Sequence, residues 1–103
     1  MDHKNTIDIR AQERAAKDKA GRQQTAALNE REDWRWLLSE ARGRRIVRRL
    51  LDTCGVYRTS FTGNSHTFFN EGQRNVGLVL IDKVHRHAPE QYTLMMQEST
   101  DND

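Results

Sequence analysis

Large apolar side chains are confined to one part of this chain, and that limits what can fold. Residues 1–27 carry only Met1, Ile7 and Ile9 as large apolar groups. Six alanines in this stretch favour helix but bury little area. Such a segment cannot offset its own ordering entropy. Residues 1–28 therefore read as an N-terminal arm, either disordered and frayed or helical on a partner. The apolar groups begin at Trp34 and end at Met96, which predicts a helical domain over 29–98. A polar, frayed tail is expected over 99–103. A domain this short buries only about 60 % of its unfolded surface and is marginal alone. Docking or self-association would supply the missing burial.

Within the domain, the spacing of apolar residues predicts helices. Asn29-x-x-Glu32 resembles a capping box, so a first helix is expected over 30–39. Trp34, Leu37 and Leu38 share one face of it. Trp36 points elsewhere, as a second core contact or an interface anchor. Ser39 or Gly43 should break this helix from the next. Ile46, Val47, Leu50, Leu51 and Cys54 then span an arc of about 140° on a helical wheel. That predicts a helix over 42–53, with Cys54 a buried thiol and Gly55 at its C′ position. Its other side carries Arg42, Arg44, Arg45, Arg48, Arg49 and Asp52.

Residues 56–65 read as a structured loop with a turn at Gly63-Asn64. Val56, Tyr57, Thr59 and Phe61 would instead suit a short strand. Asn64 or Ser65 can cap a helix over 66–87. Its predicted apolar stripe is Phe69, Val76, Leu80 and Val84, with Gly72 and Gly77 allowing close helix approach. Leu78 falls on the polar face, as a lone exposed residue or an interface contact. Pro89 suits the first turn of a last helix over 89–98. The expected fold is all-α, a small domain of three or four helices with a flexible or partner-ordered N-terminal arm.

Charge is unevenly distributed. Residues 1–40 hold eight basic and eight acidic groups, whereas 41–58 hold six Arg against Asp52. Residues 59–103 hold three basic and six acidic groups, leaving the chain at +2. One arginine block, rather than a uniformly basic coat, therefore sets the character of the surface. No run of about 18 apolar residues is present, so no membrane-spanning helix is expected. The polar N-terminus lacks an apolar h-region, so no secretory signal is expected. A single cysteine excludes a disulfide scaffold.

Catalytic signals are absent. His85 and His87 diverge by about 200° on a helix and cannot share a metal. His66 has no ligand partner at a recognised spacing. Glu71 and Arg74, at i, i+3, read as a surface ion pair. Neither a phosphate loop nor a nucleophile elbow occurs. The expectation is a non-enzyme without catalytic residues, cofactor or metal. The partner-binding candidates are Arg42, Arg44, Arg45, Arg48 and Arg49, with Trp36 and Leu78. The arginines could grip partner carboxylates or contact phosphates non-specifically. The ten-residue connection after them is longer than a helix–turn–helix turn.

Three runs carry a resemblance. Gly43-Arg44-Arg45-Ile46-Val47-x-Arg49-Leu50-Leu51 is followed by Gly55-Val56-Tyr57-Arg58-x-Ser60-Phe61-x-Gly63-Asn64-Ser65. Phe68-Phe69-Asn70-Glu71-Gly72-x-Arg74-x-Val76-Gly77-Leu78 then closes the pattern. Over about residues 33–96 the chain resembles a family of small proteins of short-tailed phages, named from a protein of a Bordetella phage. The resemblance implies phage origin and a virion component, with no catalytic residues to transfer. Family context and size together suggest an accessory structural protein at the portal or head–tail connector, in several copies on a ring. It would reside in the virion, and in host cytoplasm before assembly. The alternative is a phage DNA-binding protein, regulatory or acting in packaging, that uses the arginine helix.

Overall fold

The computed structural model describes residues 3–102. Four helices follow in order: α1 (His3–Leu38), α2 (Ala41–Cys54), α3 (His66–His87) and α4 (Pro89–Asn102). No strand occurs among the described residues, so the fold is all-α and residues 56–65 form a loop. The chain divides into two compact units, residues 1–31 and 32–103.

In the first unit α1 begins at His3 and is solvent-exposed from Asp8 to Asn29. The expected start at Asn29 does not occur, because α1 runs through it. Ala, Gln, Lys, Arg and Glu dominate this stretch and all propagate helix well. Glu13–Lys17 and Asp18–Arg22 also stand at i, i+4 with the acid first, the favourable order. Thr25 Oγ1 donates to the Gly21 carbonyl at 3.0 Å, across the one glycine in the segment.

In the second unit α2, α3 and α4 pack on one another. The last turns of α1 add Trp34, Leu37 and Leu38. The fully buried apolar set is small: Leu38, Val47, Leu51, Val84, Ala88 and Met95.

The helices sit in a different rotation from the one their apolar arcs predict. On α2 the buried residues are Gly43, Arg44, Val47 and Leu51. Ile46 and Leu50 are half-exposed, and Cys54 is only partly buried. Gly43 is the cause on one side, since a Cβ there would collide with the Leu37 carbonyl. It is therefore a packing residue within α2 and not a helix break. The break lies at Ser39, whose Oγ donates to the Trp36 carbonyl at 2.7 Å. On α3, Gly77 and Val84 are buried, whereas Phe69 and Val76 are exposed. Gly77 marks where Cys54 and Val56 press onto α3, because a Cβ there would collide with both. Nothing approaches Gly72 among the described residues, so its expected close contact is not made there.

Element ends follow local chemistry. Gly55 takes φ 77°, its N–H donates to Asp52 O at 3.0 Å, and the Val56 N–H donates to Leu51 O at 3.2 Å. These two bonds close α2 as a Schellman motif. Asn64 Oδ1 accepts from the His66 N–H at 2.9 Å and satisfies the start of α3. The loop is tied down by Arg58 Nη2 to Asp52 O at 2.8 Å and Asn70 Nδ2 to Ser60 O at 3.2 Å. Ser60 Oγ donates to Glu71, which takes the place of the expected Glu71–Arg74 pair. α4 continues past residue 98, where a frayed tail was expected. Glu98 is anchored to Arg44, and Thr100 Oγ1 donates to Met96 O at 3.1 Å.

Candidate functional site

The α2 arginines occupy three environments. Arg44 lies inside the bundle, with only 8 % of its surface exposed. Its Nε donates to both Glu98 carboxylate oxygens at 3.1 and 3.0 Å, and Nη2 donates to Oε1 at 2.8 Å. Nη1 donates to the Leu38 carbonyl at 2.9 Å. One guanidinium thus ties the end of α1, α2 and α4 together. This satisfies a fork that burial would otherwise penalise.

Arg48 is largely buried as well. It pairs with Asp52 one turn on, and its guanidinium carbon lies 4.4 Å from the Tyr57 ring centre. The Tyr57 hydroxyl is 3.3 Å from the Tyr92 hydroxyl. Burial, then this hydrogen bond, push the Tyr57 phenol well above its ordinary range.

Arg42, Arg45 and Arg49 form the third group, at i, i+3 and i+7 on the outward side of α2. All three are exposed, and none donates a side-chain hydrogen bond or forms an ion pair among the described residues. Arg45 and Arg49 border a cleft of about 220 Å³ between α2 and α4, with Met95 and Ser99 on its far wall. The candidates therefore separate: Arg44 and Arg48 hold the bundle, and Arg42, Arg45 and Arg49 are available to a partner.

Trp36 and Leu78 do not join this surface through any hydrogen bond, ring stacking or cation–π contact among the described residues. Trp36 is 76 % exposed and projects from the last turns of α1. Leu78 is 37 % exposed on α3. Phe61 and Phe68, outside the partner-binding candidates, are more exposed than Phe69.

His85 stacks on Tyr92 at 4.4 Å and His66 on Phe69 at 5.6 Å between ring centres. Among the described residues no group of His, Cys, Asp and Glu side chains converges to hold a metal ion. No described helix is long and apolar enough to cross a membrane. What the arrangement offers chemically is anion recognition by exposed guanidiniums on a rigid helix.

Glu98 makes the Arg44 anchor sensitive to acid. The Arg44 hydrogen bonds hold its carboxyl below the ordinary value of 4.5, against a smaller opposing effect of burial. Folding thus favours the charged form, and the gain is complete above about pH 4.5. It disappears as pH falls through the lower folded value. Melting temperature should drop on acidification more steeply for the parent than for Glu98→Gln. Parallel acid profiles for the two would refute this anchor.

A family model described as Bbp19-like phage protein matches residues 34–97, more than half of the chain. No curated protein and no solved structure matches it.

Proposed function

The chain belongs to the Bbp19-like phage protein family, and we propose on that premise that it is an accessory structural protein of a short-tailed phage particle, docked at the portal or head–tail connector. Several copies would decorate that ring. The supporting observation is the division of the α2 arginines. Arg44 locks the helix from within, and Arg42, Arg45 and Arg49 are exposed on its outward side, where Arg45 also helps to hold the Glu98 carboxyl down. A rigid row of guanidiniums suits bidentate pairing with carboxylates on a large partner surface. Exposed Trp36 adds a residue type common at interface hot spots.

The same row could follow DNA phosphates. α2, however, contains no Asn, Gln or Ser to read base edges. A DNA role would thus rest on phosphate contacts and arginine–guanine pairing alone, and we rank it second.

Changing Arg42, Arg45 and Arg49 together to Gln tests the assignment. Gln keeps helix propensity, so the circular dichroism spectrum should not change. The parent should be found in purified particles at fixed stoichiometry, and the variant should be missing from them. Lys at the three positions should rescue poorly, because it lacks the planar fork. Tight, salt-sensitive DNA binding by a parent absent from particles would overturn the proposal in favour of the DNA reading.

A further inference from the structure

The cleft between α2 and α4 carries more positive charge than its own walls cancel. Its lining sets the guanidiniums of Arg44, Arg45, Arg48 and Arg49 against the carboxylates of Asp52 and Glu98, a surplus of two positive charges. The more buried pair is matched from within, since Arg44 holds Glu98 and Arg48 pairs with Asp52. The surplus therefore sits on Arg45 and Arg49, which are exposed and stand one helical turn apart. Like charges at that spacing repel. Glu98 offsets Arg45 only weakly, because Arg45 is the smallest of the influences on that carboxyl, after the Arg44 hydrogen bonds, burial and the Arg44 charge.

Arg48 adds an unsatisfied donor to the same wall. Its Nε is buried and has no acceptor among the described residues. A buried N–H without an acceptor is costly, and an oxyanion held in the cleft that Arg48 lines would supply one.

The walls also select among anions. Every basic side chain of α2 is arginine, whose planar fork fits the edge of a carboxylate or a phosphate. From α4, Ser99 brings a hydroxyl and Met95 an apolar floor. A single carboxylate would offset one of the two surplus charges, and so would a phosphodiester. A terminal phosphoryl group carries close to two negative charges on three strong acceptor oxygens. It offsets both arginines and still has an oxygen to offer the opposite wall.

We propose that the α2–α4 cleft binds a dianionic phosphoryl group, as free phosphate or a phosphomonoester, between Arg45 and Arg49 with Ser99 across from them. The site rests on the outward placement of these two arginines and goes beyond the particle role. Arg42, exposed on the same helix, does not line the cleft.

Titration of the full chain with inorganic phosphate, methyl phosphate and dimethyl phosphate tests it. Arginine side-chain N–H resonances are followed at constant ionic strength, at about pH 7.5, where a phosphomonoester is dianionic. Phosphate and methyl phosphate should shift the Arg45 and Arg49 signals to saturation. The tighter of the two identifies the source, free ion or ester. Dimethyl phosphate, a monoanion, should bind at least about ten-fold more weakly. Arg45→Gln and Arg49→Gln change exposed positions, so each should keep the parent's helical spectrum, and each should weaken phosphate at least about ten-fold. Arg42→Gln removes the same charge from the same helix and should stay within about two-fold of the parent. Shifts that do not saturate overturn the site. So does dimethyl phosphate or acetate binding as tightly as phosphate, or an Arg42→Gln loss equal to that of Arg45→Gln, since either means diffuse counterions only. No particle enters this titration, so its failure leaves the docking role standing, and a parent missing from particles leaves the phosphate site standing.

Discussion

Leu51→Ala should lower stability by about 2–5 kcal/mol, the cost of emptying a fully buried leucine site. Leu51 has no exposed surface and belongs to a core of six buried apolar residues among the described residues. Domains this small hold only about 5 kcal/mol in total. The variant should therefore melt more than about 10 °C below the parent, or be partly unfolded at room temperature. The neighbouring Leu50→Ala is the internal comparison. Leu50 is 48 % exposed, so its truncation should cost less than about 1 kcal/mol in the single chain. Phe69→Ala should behave like Leu50→Ala, because Phe69 is 59 % exposed. Thermal melts followed by circular dichroism at low protein concentration decide the matter. Equal losses at Leu50 and Leu51 would mean that α2 is rotated differently from the structure described.

That pair of leucines shows what the sequence could and could not reveal. Both are apolar and adjacent, and a helical wheel places both inside. Only the neighbours separate them. Gly43 lets α2 press on the end of α1, and the Arg44–Glu98 pair, 54 residues apart in sequence, turns the arginine edge inward. Nothing local to residues 41–54 announces Glu98. An arginine among five on one helix reads as surface until its partner is known. Local signals fared better where local chemistry decides. Gly55 ends α2, Pro89 opens α4, and Asn64 caps α3, each through its own backbone constraint or side-chain oxygen. The start of α1 was misread because Asn29-x-x-Glu32 sits equally well inside a helix. A capping pattern marks a boundary only when the residues before it disfavour helix, and here they favour it.

Arg44→Met should cost about 2–3 kcal/mol, the value of charge-assisted hydrogen bonds lost in a partly buried setting. Methionine retains the apolar stem packing and removes only the guanidinium, so the loss reports the fork rather than a cavity. The Leu38 carbonyl loses its 2.9 Å donor, and Glu98 loses both oxygens' partners. Three elements are released together: the end of α1, α2 and, 54 residues from Arg44 in sequence, α4. Lysine should recover little, since one ammonium cannot span the carboxylate and the carbonyl at once. Glu98→Gln alone should also destabilise at neutral pH. Combined with Arg44→Met it should add little, because the two residues act as one unit. Arg42→Gln, Arg45→Gln and Arg49→Gln should each stay within about 0.5 kcal/mol of the parent. The same seven variants, assayed for incorporation into particles, should give the inverse order among the correctly folded ones. The outward arginines would then abolish docking without touching stability. If Arg44→Met melts like the parent, the guanidinium is not an internal brace, and Arg44 returns to the partner-facing row.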